Sequence, residues 1–234
     1  MKIRAIKTRI FQENENLFDF VVRYIPKVRE GDIVVVTSKI VALSEGRTAI
    51  VKNEKEKDAL IKKESDLAIK TKYVWLTVKD GMVCANAGVD ESNADGKIVL
   101  LPKDSYKFAD KFRKQLMKHY GVKKLGVLLT DSRLMPLRAG VIGVAVGYAG
   151  FKGVRDYRNT PDIFGRKLKF TQTDVADSLA TAVALVMGEG KECQPIAVVE
   201  EAPVEFTEKI NKKELIIPIA EDLYAPMFKR LGKK

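Results

Sequence analysis

With 234 residues, 46% hydrophobic and 31% charged, the chain is long enough to bury a large core and has the balance of a soluble globular protein. One histidine, His119, and two cysteines, Cys84 and Cys193, argue against a His-built zinc site and a Ser-His-Asp triad, so a catalytic metal would need oxygen ligands. The net charge of +11 would suit nucleic-acid binding, but the lysines are spread along the chain, which favours a solvated basic surface that also attracts anionic nucleotides. In chain order, Met1–Ile10 alternates charged and apolar residues and reads as a strand without a signal core. Phe18, Val21, Val22 and Ile25 have helical spacing, closed by Pro26. Asp32–Thr37 (DIVVVT) reads as a buried strand. Glu54–Lys70 reads as one charged amphipathic helix carrying Leu60, Ile61, Leu67 and Ile69. Tyr73–Val78 and Ile98–Leu101 look like strands. From Lys103 to Lys124 there are eight basic and two acidic residues. Helical phase puts Phe108, Phe112 and Leu116 on one face there, leaving the lysines on the solvated side. Leu125–Thr130 is a second buried strand, and Gly140–Gly150 a strand whose glycines permit close backbone approach. A basic loop, Lys152–Lys169, precedes a helix capped by Asp174, with Val175, Leu179, Val183 and Val186 on its apolar face. Pro195–Val199 is a strand, and the tail, apolar around Leu215–Ile219, is expected to wrap back onto the body. No run approaches the ~18 apolar residues of a membrane span, and the sparse cysteines fit reduced thiols, so a cytoplasmic protein is expected.

No G-x-x-x-x-G-K-[ST] phosphate loop is present, and Gly140, Gly143, Gly147 and Gly150 do not make G-x-G-x-x-G. Three acidic segments stand out. Asn86–Asn93 (NAGVDESN) packs two carboxylates, two asparagines and a serine into eight residues, the composition either of a solvated turn or of a ligand loop. Asp131-Ser132 follows the Leu125–Thr130 strand directly; a carboxylate there marks a site in many α/β sheets, or simply caps a turn. Met187-Gly188-Glu189-Gly190 ends the Asp174 helix, where Gly188 or Gly190 can serve as a C-cap. Arg155, Arg158 and Arg166 can hold carboxylates or phosphates in bidentate fashion, or belong to a solvated loop.

Five ordered segments resemble the coenzyme F420-0:γ-glutamyl ligase family. They are VVVTSKIVALSEGR (34–47), NAGVDESN (86–93), VLLTDS (127–132), RAGVIGVAVGYAG (138–150) and DIFGRKLKFTQTDVADSLATAVALVMGEG (162–190). They span Val34 to about Val199, roughly 70% of the chain. The resemblance implies an enzyme that joins L-glutamate to a carboxylate acceptor with GTP and Mg²⁺ or Mn²⁺, with K⁺ as a candidate further cation. It implies Asp90, Asp131 and Glu189 as catalytic metal ligands, with Ser132 where the family usually has threonine. It places Ser38, Lys39, Asn93 and Met187, Gly188, Glu189 and Gly190, within the Met187–Gln194 turn, beside the nucleotide. Hard oxygen ligands suit these cations, whose remaining positions go to water and phosphate oxygen. The chemistry such a site supports is transfer of the γ-phosphoryl group to a carboxylate, followed by attack of the glutamate amine on the acyl phosphate.

Three departures touch the surroundings of these motifs. Leu43 stands where many members have lysine. Asp131-Ser132-Arg133-Leu134-Met135-Pro136-Leu137-Arg138 lacks the glycine of D-T-x-G-R, and the stretch from Arg47 to Asn86 is short. They leave the acceptor open between F420-0 and another carboxylate, as in a folate-type polyglutamate ligase. The reading from another class is a non-catalytic nucleotide- or RNA-binding protein. The expected fold is α+β, with mixed β-sheets and flanking helices. One ligase-like domain is expected to span 1–234, with two subdomains split near 102–131 at Pro102 or Asp131, and to form a homodimer with no membrane or nucleic-acid partner.

Overall fold

The computed structural model describes residues 1–231. In chain order the elements are β1 (Lys2–Ile6), α1 (Leu17–Tyr24), β2 (Asp32–Thr37), α2 (Ser38–Ser44), β3 (Thr48–Ala49), α3 (Glu54–Lys63), β4 (Leu67–Lys70), β5 (Trp75–Lys79), β6 (Met82–Ala85), β7 (Ile98–Val99), α4 (Ser105–Tyr120), β8 (Leu125–Leu134), β9 (Val141–Ala149), β10 (Val154–Asp156), β11 (Gln172–Asp174), α5 (Val175–Met187), β12 (Ile196–Glu200) and α6 (Ala225–Leu231). The chain forms two compact units, one of Met1–Gly46 with Pro102–Lys212, the other of Arg47–Leu101 with the chain from Lys213 onward. Helices and mixed sheets make an α+β protein. No helix among the described residues is long and apolar enough to cross a membrane.

The larger unit is built on a five-stranded sheet in the order β1-β12-β2-β8-β9. Only β2 and β8 are parallel; the other neighbours are antiparallel. Ile33, Val34, Val35 and Val36 are fully buried, as the unbroken apolar run requires of a strand covered on both faces. Ahead of it, Asn16 caps α1 by accepting from the amides of Phe18 and Asp19. The buried face of α1 is Leu17, Phe20 and Val21; of the expected Phe18, Val21, Val22 and Ile25, Val21 and Ile25 are buried and Phe18 and Val22 half-buried. In α4, Ala109, Phe112 and Leu116 are buried, while the lysines face solvent. Arg113 joins the buried face, because position 113 lies four residues after Ala109 and three before Leu116. Its guanidinium pairs with Glu208 and donates from Nε to the Leu125 carbonyl at 2.6 Å.

The expected Met1–Ile10 strand ends at Ile6, and the expected Lys152–Lys169 loop contains strand β10. Two further boundaries differ from the sequence reading. The expected helix over Glu54–Lys70 stops at Lys63, and Leu67–Lys70 is instead strand β4 against β5. Glu64 closes the helix, and the amide of Asp66 then donates to the Val78 carbonyl at 2.7 Å, so pairing with β5 replaces another helical turn. The strand expected to end at Thr130 runs on to Leu134, because β9 continues to pair with it: Asp131 faces Val144 and Ser132 faces Gly143. Asp131 and Ser132 therefore sit within a strand and not just past its end.

The smaller unit holds a three-stranded meander, β4-β5-β6, and the short pair β3-β7. Ile61, Val89, Ile98 and Leu100 form its core, with Trp75 packed against it. The tail contributes here: a methyl group at Gly81 would sit 2.9 Å from Cδ1 of Ile216.

Candidate active site

The parallel pair gives the larger unit one edge where candidate residues gather. Thr37 pairs with Thr130, so Ser38-Lys39 and Asp131-Ser132 leave the β2–β8 register at the same end. Ile196 pairs with Val36, and the Thr37 amide donates to the Pro195 carbonyl at 3.0 Å, so the turn preceding β12 arrives at that end too. Three segments scattered through the sequence thus meet at the carboxyl edge of parallel strands, the usual place for a site in such sheets. Ser38 is buried at the start of α2, beside the half-buried Lys39.

Helix α5 delivers Glu189 to this edge. Asp174 caps it by accepting from the Asp177 amide at 2.9 Å, and Asp177 accepts from the Ala145 amide at 2.8 Å, tying the helix to β9. Gly143 lets the two approach closely: a Cβ there would lie 2.4 Å from the Ala180 carbonyl oxygen. Loss of solvent around the carboxyl, next to Asp177, pushes Asp174 up to about 6, although the residue itself is still exposed. Burial also pushes Asp177 up. The helix ends at Gly188 with φ +82, a conformation that favours glycine. Glu189 comes immediately after. The Ser132 hydroxyl lies 2.7 Å from both of its carboxylate oxygens. Met187 is buried, Gln194 donates to its carbonyl at 3.2 Å, and the Gly190 amide donates to Glu192 at 2.7 Å, closing the turn on itself.

Next to Ser132, Asp131 forms an ion pair with Arg133, whose Nη1 also donates to the Ser132 carbonyl at 2.9 Å. Arg133 is only 6% exposed. Nothing in DSRL signalled that burial, because a basic residue after the expected strand end reads as loop. Among the described residues no group of three or more His, Cys, Asp or Glu side chains gathers to hold a metal ion. The donors that do converge, the Ser132 hydroxyl and the Glu189 carboxylate, are hard oxygens. Mg²⁺ is commonly held by one or two carboxylates and completed by water and substrate phosphates, so this sparse oxygen set fits it.

In the smaller unit, Asn86–Asn93 forms a self-contained turn. Asn86, Ala87 and Gly88 all have positive φ, a costly run for Ala87. It is held by the Thr77 hydroxyl, which accepts from the Ala87 amide at 2.7 Å, and by Asn86, which accepts from the Trp75 amide at 2.9 Å. Asp90 pairs through its backbone with Val99, and its carboxylate accepts from the Ser92 amide at 2.8 Å and the Ser92 hydroxyl at 2.9 Å. Glu91 pairs with Lys57, and Asn93 has φ 50.

Other candidates do not join these groups. His119 packs edge-on against Phe18 and Tyr120, and Cys84 and Cys193 are free thiols. Arg158 is matched by Asp156 and Arg166 by Asp162, while Arg155 donates to the Pro203 carbonyl. A cleft of about 630 Å³ lined by Arg29, Asp32, Lys124, Glu200 and Phe206 lies at the opposite edge of β2 and β8. Three of its carboxylates have partners: Asp32 accepts from the Arg29 amide at 2.7 Å, Glu200 pairs with Arg29 at 3.8 Å, and Glu30 accepts from the Lys123 and Lys124 amides at 2.7 Å. The candidate site residues of the larger unit gather at the other end of the sheet.

Comparison with known proteins identifies the family. The F420-0:Gamma-glutamyl ligase family matches residues 5–201. The chain belongs to that family. A coenzyme F420:L-glutamate ligase of Methanococcus maripaludis strain C6 is 34% identical, covering 96% of this chain and 97% of the relative. One of Methanocaldococcus jannaschii is 33% identical over 96% of each. One of Archaeoglobus fulgidus is 30% identical over 81% of this chain and 83% of the relative. Within this ligase family frame, the departing Arg133–Leu137 stretch begins in β8 and turns at the tip of the β8–β9 hairpin, where Leu137 is fully exposed with φ 56. Leu43, the other departure, is half-buried in α2 and its carbonyl accepts from the Asn14 amide at 2.9 Å.

Proposed function

We propose that this ligase joins L-glutamate to a carboxylate acceptor of the F420-0 type, driven by GTP and dependent on Mg²⁺ or Mn²⁺. The observation that carries the reading is the near full-length likeness to proteins named coenzyme F420:L-glutamate ligase. Asp90, Asp131, Ser132 and Glu189 would hold the cation. The cation would supply positive charge to neutralise the triphosphate and the charge developing in phosphoryl transfer. Ser38, Lys39, Asn93 and the Met187–Gln194 turn would line the nucleotide. In the reaction, a carboxylate oxygen of the acceptor attacks the γ-phosphorus and GDP leaves. The glutamate amine then attacks the carbonyl carbon of the acyl phosphate. Phosphate departs with the C–O electron pair, and the nitrogen loses a proton. The enzyme's task is to position and screen charge, which convergent oxygen donors at one sheet edge support. Homodimerisation, as the family resemblance implies, completes the proposal.

The test is a side-by-side assay of F420-0, a monoglutamyl folate and a short γ-glutamyl peptide with GTP or ATP, Mn²⁺ and labelled glutamate. The expected outcome is metal-dependent incorporation into F420-0 with one GTP consumed per amide. Incorporation only into the folate or the peptide would replace the acceptor, and no incorporation with any acceptor would remove the ligase reading.

A further inference from the structure

Arg133 lies in β8 between Ser132 and Leu134, 6% exposed. Its guanidinium is divided in use. Nη1 donates to the Asp131 carboxylate and, at 2.9 Å, to the Ser132 carbonyl. Nε and Nη2 are buried and donate to nothing. These two nitrogens are not an arbitrary pair. Nε–H and the adjacent Nη2–H point the same way and form the side-on fork of an arginine, spaced to meet two oxygens of a single carboxylate or phosphate. A buried charged donor with no acceptor costs free energy, whereas an arriving two-oxygen anion satisfies both donors at once. The neighbouring Asp131 side chain is 26% exposed, so solvent reaches the group beside the fork.

Resting on the ligase reading above, we propose that the Nε/Nη2 fork of Arg133 is a docking point for a two-oxygen anion of a substrate. The ligand is either a carboxylate, from L-glutamate or the acceptor, or a phosphoryl group from the nucleotide. Asp131 holds the other side of the guanidinium and thereby aims the fork. Arg133 is then a binding residue that helps set which substrate the site accepts.

The full-length protein and the variants Arg133→Lys and Arg133→Gln decide the matter. Lysine keeps the positive charge opposite Asp131 but has no parallel fork, so it is the deciding arm even if the glutamine variant is unstable. Calorimetry with Mn²⁺ present reads the dissociation constants of L-glutamate, GTP and F420-0 separately, alongside their KM values. The expected result is that one of the three binds at least about tenfold more weakly to both variants, with the others within about threefold. Loss of GTP would identify a phosphoryl group, and loss of glutamate or F420-0 a carboxylate. Three unchanged ligands, equal weakening of all three, or full recovery in Arg133→Lys would overturn the proposal and leave Arg133 as a counter-ion of Asp131. Should the wild type ligate nothing, the ligase reading falls by itself. Titration with inorganic phosphate and glutarate still reads the fork then, and selective weakening in both variants supports it.

Discussion

The two acid-bearing regions of the molecule are held in different ways. Asn86–Asn93 is fixed locally, by Thr77, Trp75, Ser92 and Val99 within its own unit. Ser132 and Glu189 are 57 residues apart and meet only because β8, β9 and α5 are packed around Gly143. A local turn keeps its shape when one side chain changes. An arrangement built from distant elements depends on every contact that brings them together.

The largest expected effect separates ligand from scaffold. Asp131→Asn and Glu189→Gln should lower Mn²⁺ affinity by more than the ~10–100-fold typical of partners one shell out. Asp90→Asn should do likewise while its turn survives, since asparagine still accepts from the Ser92 amide. Calorimetry with Mn²⁺, with circular dichroism to check the fold, tests this; unchanged affinity in Asp131→Asn and Asp90→Asn would sink the idea that both serve the metal.

A second pair of variants breaks one region at a time. Gly143→Val must push α5 off β9 and should cost about 1–3 kcal/mol or more by overpacking. Because α5 carries Glu189, Mn²⁺ affinity should fall with it. Gly88→Ala forces a side chain to φ +71 and against Leu101, costing about 1–2 kcal/mol. Urea melts and metal titrations on both variants would show whether the damage stays within each region. Equal loss of metal affinity per kcal/mol of destabilisation would contradict the contrast.

The smallest effect concerns the cap of α5. Asp174 titrates near 6 in the folded chain, above the free value of about 3.9. The folded state therefore binds the proton more tightly, and the stability this contributes is present below about pH 3.9 and lost as pH rises through about 6. Asp174→Asn keeps the cap but does not titrate. Its melting temperature relative to the wild type should rise between pH 4 and pH 7. A gap that is constant across that range would show that the carboxyl titrates normally.

The contrast also explains what could be read from the sequence. DIVVVT announces β2, because four consecutive β-branched apolar residues in so short a run read as a buried strand. Asn86–Asn93 announces a turn through its Asn, Gly and Ser content. The α3–β4 boundary was hidden, since Leu60, Ile61, Leu67 and Ile69 satisfy helical spacing until the partner strand is known. The meeting of Ser38, Asp131, Ser132 and Glu189 depends on strand order, which no local pattern encodes; resemblance to a family singled out those residues, and the β2–β8 register explains why those in the larger unit share an edge. The burial of Arg133 follows from the unforeseen length of β8. Arg113 was legible in helical phase but masked by the surrounding lysines.

The order of strands also sets a timetable. The first strand made, β1, waits for β12 as its partner, and the smaller unit takes its last pieces from Lys213 onward. During synthesis, β1 therefore emerges roughly 10–40 seconds before its mate, at about 5–20 residues per second. For about half of that interval the valine-rich β2 lacks both neighbours, β8 and β12, and for the rest it lacks β12. A nascent chain of this design must keep an apolar strand from associating with others until β12 has emerged, so a pause or truncation before Ile196 should expose it to chaperones or to aggregation.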